Sequence, residues 1–212
     1  MIPEHKNGVT MKRHYAFPLN TTTHGMGTSF WVDGFTKQEL KTIMEIGDTI
    51  EKEKARVGDM NNMDQNSLDK DVRVTDISWI NPTESTEWLF EKLSFIVQKI
   101  NHDYYNYDLW GFQDGLQYSV YSHQDSGHYD WHIDSFGQSQ HSCRKLSFSI
   151  LLNDPLEFEG GELYVHGQEK SVLVKQQGRI NFFPSFMLHK VTPVTQGIRK
   201  SLVGWVVGPN FR

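Results

Sequence analysis

Residues 116–134 read LQYSVYSHQDSGHYDWHID, and this stretch decides the interpretation of the fold. Two short runs of alternating apolar and polar residues, LQYSVY and YDWHI, flank a segment rich in Ser, Asp and Gly, which is typical of strands joined by a turn. Runs rich in β-branched and aromatic residues continue toward the C-terminus as KLSFSILLN, ELYVHG, SVLVKQ, RINFFP and SLVGWVV. Closely spaced short strands predict antiparallel sheets, so we expect residues 111–212 to form a double-stranded β-helix, or jelly-roll, core.

The residues before this core are expected to be mainly helical over 29–110 and to pack on one face of it. Thr36 and Glu39 have the spacing of a capping box, and apolar residues then recur at helical spacing in FTKQELKTIMEIGDTIEKEKA. A second helix is predicted to open at Asn81. The sequence therefore predicts a mainly β protein with helices flanking the core.

Three other segments complete the predicted organisation. Residues 57–71 show neither helical nor strand periodicity and are predicted to be a loop of unknown role, whereas residues 72–79 alternate like a strand. Residues 1–28 are predicted to be an irregular arm. We expect the whole of 1–212 to form a single domain, because no composition change suggests a boundary.

Composition narrows the range of partners and compartments. The 212 residues include 21 basic and 26 acidic side chains, a net charge of −5, and no run of Lys or Arg that could neutralise phosphates, so nucleic acid is a disfavoured partner. Cys143 is the only cysteine, which excludes an intramolecular disulfide, and the first residues do not resemble a signal peptide or membrane span. We expect a cytoplasmic protein without a membrane partner; its oligomeric state stays open.

The strand around HYDWHIDS contains candidate metal ligands. His132 and Asp134 are two residues apart, so a strand would point both side chains to the same face. His189, in FPSFMLHKVTPV, is the candidate third ligand. Two histidines and one carboxylate form a facial triad that leaves about three positions open on a ferrous ion, as a non-haem oxygenase requires.

A His-x-Asp triplet is common by chance, and neighbouring residues could compete for the metal. Asp130 lies on the same side as His132 if the strand extends that far, so the spacing leaves either carboxylate open. We expect His123 and His128 to lie beside the site without binding metal, and His141 and His166 to lie on the surface.

Arg199 adds a second element to the candidate site. It lies ten residues after His189 and is followed on the same strand face by Ser201. A guanidinium beside a hydroxyl forms a clamp for a carboxylate, although a solvated strand charge would give the same pattern. Metal triad and clamp together predict a co-substrate that carries a carboxylate.

With these residues identified, the chain resembles the iron(II)- and 2-oxoglutarate-dependent dioxygenases. Within them it is most similar to the prolyl 4-hydroxylase-like group, the PKHD-type hydroxylases of bacteria and phages. The stretches that carry the resemblance cover most of the chain: RVTDISW (73–79), LQYSVYSHQDSGHYDWHID (116–134), RKLSFSILLNDPLEFEGGEL (144–163) and FPSFMLHKVTPVTQGIRKSLVGWVVGPNFR (183–212).

The resemblance implies a role for each matched residue. His132, Asp134 and His189 would be the Fe(2+) ligands, with Asp134 preferred to Asp130, and Arg199 would bind the distal carboxylate of 2-oxoglutarate. The other implied site residues line the co-substrate pocket or lie near the metal: Tyr121 and Trp205, respectively. Ascorbate is the additional cofactor that the resemblance suggests.

One position departs from the oxygen-sensing animal relatives, where a tyrosine helps to hold 2-oxoglutarate. Leu151 occupies that position here, so another hydroxyl must compensate, and Ser147 and Ser201 are the candidates. The paired glycines of EGGEL, Gly160 and Gly161, are expected to adopt positive φ in a tight connection.

The activity implied is oxidative decarboxylation of 2-oxoglutarate coupled to hydroxylation of an aliphatic C–H, with dioxygen as the oxidant. The substrate would be a peptide, for example a peptidyl proline, or a small molecule. Aromatic residues are expected to wall the site, although the same residues would fit a plain apolar core equally well: Tyr129, Trp131, Phe182 and Phe183. A cupin-like metal- or ligand-binding module without turnover is the alternative from another class, against which the Arg199 clamp argues. A nucleobase-directed dioxygenase is a third, disfavoured by the acidic net charge.

Overall fold

The computed structural model describes residues 25–55, 57–59, 62–67, 69–135, 143–167 and 170–209. The expected arm at 1–28 therefore lies mostly outside the described residues, as does His141. No described helix is long and apolar enough to cross a membrane.

The described chain alternates two helices with many short strands. The helices are α1 (Lys37–Thr49) and α2 (Glu87–Ile100), the latter extended by a π-helical turn, Asn101–Tyr105. The strands before the jelly-roll core are β1 (Ser29–Trp31), β2 (Glu53–Lys54), β3 (Val57–Asp59), β4 (Asn62–Ser67), β5 (Arg73–Val74) and β6 (Asp76–Ile80). The strands that follow are β7 (Gly111–Phe112), β8 (Leu116–Ser122), β9 (His128–His132), β10 (Arg144–Leu151), β11 (Phe158–Gly160), β12 (Leu163–His166), β13 (Lys170–Val172), β14 (Ile180–Pro184), β15 (Leu188–Val191) and β16 (Val194–Val207).

These strands form two principal sheets with antiparallel pairing. The large sheet has nine strands in the order β1-β14-β10-β16-β8-β6-β2, with β7 and β11 also paired to β16. The small sheet has the order β13-β12-β15-β9-β5. Consecutive strands repeatedly pair with distant ones, which is the connectivity of a jelly roll, so the predicted mainly β fold is confirmed.

The two sides of the large sheet bury different kinds of residue because strand side chains alternate. On β10, Leu146, Phe148 and Ile150 join an apolar core with α1 and α2, including Ile43 and Leu93. The contact with α1 is close, since a Cβ added at Gly47 would lie 2.5 Å from the ring of Tyr118.

The opposite side of the large sheet faces the small sheet. A second apolar cluster joins residues of both sheets in this interior, with Tyr121 and Leu151 from the large sheet and Leu163 and Val191 from the small sheet. The candidate site lies in the same interior.

The start of the first helix was predicted correctly, and the start of the second was not. The capping box is confirmed: the Glu39 N–H donates to Thr36 Oγ1 over 3.2 Å, and the Thr36 N–H donates to Glu39 Oε2 over 2.8 Å. The second helix begins at Glu87 rather than near Asn81, because the Thr86 hydroxyl donates to the Asn81 carbonyl over 2.7 Å and closes a turn first.

The segment between the helices contains more β structure than the sequence pattern indicates. Residues 57–71 were expected to form a loop, but β3 and β4 pair there as an antiparallel hairpin. Backbone hydrogen bonds can hold such a hairpin without apolar alternation. The single strand expected over 72–79 is divided between the sheets, with β5 pairing with β9 and β6 with β8.

Candidate metal centre

The pairing of β9 with β15 brings two distant histidines together. His132 and His189 are direct cross-strand partners, and their ring centroids are 4.0 Å apart. Asp134 completes the group: its Oδ1 lies 3.8 Å from His132 Nε2 and its Oδ2 lies 3.4 Å from His189 Nε2. One potential ligand atom from each of the three residues lies within 4.8 Å of the others.

Backbone carbonyls fix the orientation of both imidazoles. His132 Nδ1 lies 2.8 Å from the Asp130 carbonyl oxygen, and His189 Nδ1 lies 2.9 Å from that of Met187. Since a carbonyl can only accept, each Nδ1 carries the proton and each Nε2 keeps its lone pair toward the cluster. The donor set therefore fits a divalent metal ion with further coordination positions open.

Asp134 reaches the cluster by a different route from the one expected. β9 ends at His132, so strand alternation does not orient Asp134. Instead, the Asp134 N–H donates to the Ser185 carbonyl over 2.9 Å, and Ser147 Oγ donates to Asp134 Oδ2 over 2.7 Å. The expectation that one strand carries both ligands is wrong, although the two side chains do meet.

A β-bulge excludes the competing carboxylate. Between the pairs His189–His132 and Val191–Tyr129, three steps on β9 face two on β15. The bulge turns Tyr129 to the same side as His132, and the two rings stack with centroids 3.4 Å apart and planes 13° apart. Asp130 is exposed and contributes only its carbonyl, so its side chain does not join the cluster.

Burial and neighbouring groups set the charges of the cluster. Burial, with a contribution from His189, lowers the pKa of His132 to about 3, so its imidazole is neutral at physiological pH. Burial acts to raise the pKa of Asp134, but the two imidazoles and the Ser147 hydroxyl outweigh it and hold that pKa below its usual value. A neutral His132 imidazole and an ionised Asp134 carboxylate are protonation states that metal binding needs.

His123, His128 and His166 lie outside the cluster, as expected. His123 Nδ1 lies 3.0 Å from the Gly197 carbonyl oxygen. His128 lies between two backbone carbonyls, with Nδ1 2.8 Å from that of Ser126. His166 is exposed, and neither it nor the other two belongs to the candidate metal group.

Arg199 occupies the interior face of the large sheet. It is the cross-strand partner of Tyr121, whose ring centroid lies 5.3 Å from the guanidinium carbon. Arg199 Nη1 donates to Ser201 Oγ over 2.9 Å, while Nε is buried without a hydrogen-bond partner. Only 4% of the residue is exposed, and no carboxylate forms an ion pair with it among the described residues. Burial lowers the pKa of Arg199, and the nearby Tyr121 and Glu162 act against this effect. An arginine remains charged, so this buried cation forms no ion pair within the described part of the chain.

Two tyrosines connect the arginine with the metal cluster. Tyr121 lies beside Arg199, and Tyr129 stacks on His132. Tyr121 also lies close enough to Tyr129 to affect its ionisation, and burial raises the pKa of Tyr129 to about 12, so the phenol stays protonated. The cluster and the arginine thus face one interior space.

Ser147 has a different task from the one expected. Its hydroxyl donates to Asp134 Oδ2 and also lies 2.8 Å from Ser185 Oγ. Both contacts therefore help to hold Asp134 in place. We therefore assign it the positioning of Asp134, and Ser201 remains as the hydroxyl beside Arg199.

Trp205 lies near the carboxylate, as the resemblance implied. Its indole nitrogen is buried and contributes to the low pKa of Asp134, although it makes no hydrogen bond of ordinary geometry. The guanidinium of Arg144 lies over the Trp205 ring at 3.9 Å and donates to Asp114 over 2.7 Å.

Of the four expected aromatic walls, two lie at the cluster. Tyr129 stacks on His132, and Phe183 lies 4.6 Å from His189 between ring centroids.

The expectations for the other two aromatic residues, Phe182 and Trp131, are wrong. Phe182 belongs to the core on the helix side, and Trp131 has the ammonium of Lys190 over its ring at 4.9 Å on the other face of the small sheet. Alternation along each strand explains both differences.

The sequence pattern missed several residues that support the site. Ser185, four positions before His189, holds Asp134 through its carbonyl. Gly160 and Gly161 have φ of 73° and 62°, as expected, but a Cβ on Gly161 would also lie 2.8 Å from Arg199 Cδ. Arg73 lies beside Tyr129, with its guanidinium carbon 4.3 Å from the ring centroid. The motifs EGGEL and RVTDISW marked these positions but did not indicate their contacts.

A jelly roll with two histidines and a carboxylate in its interior has the donor set of the non-haem iron oxygenases. Consistent with that class, residues 116–207 match the family model described as the 2OG-Fe(II) oxygenase superfamily. Residues 116–207 are thus similar to 2OG-Fe(II) oxygenase domains, and the resemblance inferred from the sequence is confirmed.

Curated relatives match part of the chain. A PKHD-type hydroxylase of Synechococcus sp. strain CC9902 is 39% identical over 79 residues, which are 37% of this chain and 35% of the relative. A PKHD-type hydroxylase of Prochlorococcus marinus strain SARG is 39% identical over 93 residues, 43% of this chain and 41% of the relative. The matched segments thus span less than half the length of these relatives.

Solved structures share the fold over most of the chain. A Pseudomonas putida prolyl-4-hydroxylase has a TM-score of 0.67 and 21% identity, covering 89% of this chain and 95% of its own. A Trichoplax adhaerens prolyl hydroxylase in complex with a hypoxia-inducible-factor peptide fragment has a TM-score of 0.63 and 17% identity, covering 86% and 84%. At these identities the likeness concerns the fold.

Proposed function

We propose that this protein is an iron(II)- and 2-oxoglutarate-dependent hydroxylase acting on an aliphatic C–H. The observation that carries the proposal is Arg199, a buried guanidinium that has a hydroxyl beside it and no ion-paired carboxylate among the described residues. An unpaired buried charge is costly, so a protein that keeps one has a use for an anion at that place. A dicarboxylate bound between Arg199 and the metal cluster would satisfy both.

Each residue of the site then has a physical task. His132, Asp134 and His189 would hold the iron, and Arg199 with Ser201 would bind the distal carboxylate of 2-oxoglutarate. Iron and 2-oxoglutarate, with dioxygen, supply the oxidising power for C–H hydroxylation when they are bound. Arg199 neutralises the far end of the co-substrate and fixes its direction in the interior.

The surrounding residues keep the site ordered and shielded from water. Ser147 donates to the Asp134 carboxylate, and the Ser185 carbonyl accepts from the Asp134 backbone N–H, so both the side chain and the backbone of this residue are held in place. Tyr129 and Phe183 cover the histidine rings. Enclosure of this kind limits reaction of a strong oxidant with the protein itself.

The substrate we propose is a peptide or a small molecule, with a peptidyl proline as the first candidate. The Trichoplax prolyl hydroxylase, which has the same fold, binds a peptide fragment. We further propose a single domain over 1–212 and a cytoplasmic setting, where a lone cysteine stays reduced. Ascorbate is proposed as the auxiliary reductant that keeps the iron ferrous.

The test is succinate formation against 2-oxoglutarate concentration for wild type, Arg199→Ala and Arg199→Lys. Loss of a charge-assisted bidentate pair costs about 2–4 kcal/mol, so Arg199→Ala should need about 30- to 1,000-fold more 2-oxoglutarate while its iron requirement stays nearly unchanged. Lysine keeps the charge without the planar fork and should restore part of the loss.

Arg179→Ala is the matched control, because this guanidinium lies over the Phe30 ring at 3.6 Å and not at the site. It should leave the 2-oxoglutarate curve unchanged. If the Arg199 variants also give the wild-type curve, the carboxylate clamp does not exist and a binding module without turnover becomes the better interpretation.

A further inference from the structure

A second buried arginine near the metal cluster has no use in the reaction described so far. Arg73, on β5, is the cross-strand partner of Tyr129 and is 9% exposed. Its Nε and Nη2 are both buried without a hydrogen-bond partner. Among the residues that the structure describes, no carboxylate forms an ion pair with it.

Arg73 lies on the side of the small sheet that faces the metal cluster. Its guanidinium carbon lies 4.3 Å from the Tyr129 ring centroid, and the same ring stacks on His132. The β-bulge that turns Tyr129 inward therefore also brings the charge of Arg73 toward the histidines.

The contact with Tyr129 does not satisfy the arginine. A guanidinium over an aromatic face gains a cation–π attraction, but its N–H groups point outward in the guanidinium plane. The unpartnered Nε and Nη2 lie on one edge of that plane, the edge that binds a carboxylate through two parallel hydrogen bonds.

Comparison of the three buried arginines near the site isolates Arg73. Arg144 has Asp114 as its partner at 2.7 Å, and Arg199 is assigned to 2-oxoglutarate. The charges of a ferrous ion, ionised Asp134, the 2-oxoglutarate dianion and Arg199 then sum to zero, so Arg73 leaves one positive charge that no described residue compensates. A neutral carbonyl could accept its hydrogen bonds but would leave that charge unbalanced.

We propose that Arg73 binds a carboxylate of the primary substrate, so the molecule that is hydroxylated is an anion rather than a neutral internal peptide segment. The proposal rests on the proposed function and narrows its substrate class. The carboxylate can belong to a free amino acid or a peptide C-terminus, or to an acidic side chain next to the reacting residue. These sources share the same recognition chemistry.

The experiment compares matched probes for binding to the iron- and 2-oxoglutarate-loaded protein without oxygen, where no turnover occurs. The probes are a panel of L-amino acids and N-acetylated Ala-Pro-Ala peptides, each as the free acid and as the C-terminal amide, together with the amide of N-acetylated Asp-Pro-Ala. Calorimetry gives the dissociation constants, and stimulation of succinate release in air gives a second readout.

We expect acids to bind at least about 30-fold more tightly than their amides. Arg73→Gln should remove this difference, and Arg73→Lys should restore part of it. The Asp-Pro-Ala amide separates the sources: binding that depends on Arg73 indicates an acidic side chain, and binding only by free acids indicates an α-carboxylate. Arg179→Gln is the control and should keep the wild-type preference.

Three results would overturn the proposal: acids and amides that bind wild type alike, no binding of any carboxylate probe to wild type, or an unchanged preference in Arg73→Gln. The acid–amide comparison on wild type decides the matter even if the variants do not fold. Wild type and Arg179→Gln should both form succinate slowly without substrate. Absence of this reaction from wild type would refute the proposed function rather than the role of Arg73.

Discussion

The two sides of the large sheet differ in what they bury, although the same strands form both. On β16, Leu202 and Val206 face the helices and belong to the apolar core, whereas Arg199 and Ser201 face the interior between the sheets. β10 repeats the pattern, with Phe148 in the core on the helix side and Ser147 bonded to Asp134 on the other.

The difference shows that one side of the sheet contributes mainly to stability, whereas the other side forms the candidate site. Within the described part of the chain, the buried side-chain atoms without hydrogen-bond partners all belong to Arg73, Arg144, Arg199 and Trp205. Each of these residues contacts the site or its support, and none lies in the helix-side core. The helix side is thus complete as folded, whereas the interior side retains binding capacity that folding does not use.

The largest expected effect is on the interior side, at the metal cluster. Replacing His132, Asp134 or His189 with Ala removes one of three donors, so succinate formation should fall below detection and the ferrous ion should bind far more weakly. Iron titration under anaerobic conditions measures the second effect. The control is His123→Ala, whose ring contacts only a backbone carbonyl and which should bind iron normally. A fully active His189→Ala protein would place the metal elsewhere.

The helix side should respond in stability instead. Phe148 is fully buried in the core, and Phe148→Ala should lower the free energy of unfolding by about 3–5 kcal/mol in urea titrations. Activity per folded molecule should stay near wild type. Phe95→Ala, at a side chain that is 67% exposed, should cost well under 1 kcal/mol. A Phe148 variant that kept its stability but lost turnover would break the division between the two sides.

Because of the buried histidine on the interior side, lowering the pH should reduce the free energy of unfolding of the metal-free protein. The pKa of His132 is lowered to about 3, so the unfolded chain binds a proton near pH 6.5 that the folded protein excludes. Stability therefore falls as pH falls, by about 2 kcal/mol between pH 7 and pH 5, above the range where carboxylates titrate. Urea unfolding at several pH values measures this slope. The slope should be reduced in His132→Asn, and an identical slope there would exclude this origin.

The smallest effect tests how closely the backbone fits the arginine. Gly161→Ala places a Cβ 2.8 Å from Arg199 Cδ at a φ of 62°, so it should cost about 1–2 kcal/mol of stability and raise the 2-oxoglutarate requirement by displacing the guanidinium. Gly178→Ala provides the control, because its φ is 76° and its nearest neighbour is Leu40 on the helix side. It should lose similar stability without changing the 2-oxoglutarate curve.

Local patterns predicted those features that depend on neighbours in sequence. The capping box of Thr36 and Glu39 depends on residues three apart, and it is present as expected. The short strands from Leu116 onward depend on alternation and turn residues, and they form. The start of α2 was missed because Thr86 bonds back to Asn81, a turn that competes with the first helical turn.

The candidate site required contacts that no local pattern contains. Strand alternation suggested that His132 and Asp134 would meet, but contacts from other strands and turns hold Asp134 in place. The Ser185 carbonyl accepts from its backbone N–H, and the Ser147 hydroxyl donates to its carboxylate. Alternation also suggested Asp130 as an alternative ligand. The bulge on β9 turns Tyr129, instead of Asp130, toward the metal cluster. The pairing register between two strands, rather than the spacing along one strand, decides which side chains face the cluster.

By itself, the sequence determined the mainly β jelly roll and the residue types of the candidate site: His132, Asp134, His189 and Arg199. Strand-forming runs and metal-binding side chains can be recognised from the residues themselves and their spacing. Only the tertiary structure decided that Ser147 supports Asp134, that Trp131 faces away from the cluster, and that Arg73 lies beside Tyr129 with no ion-paired carboxylate in the described parts of the chain. The physical reason is that burial, hydrogen-bond partners and uncompensated charge are properties of surroundings assembled from distant segments, which spacing along the chain does not encode.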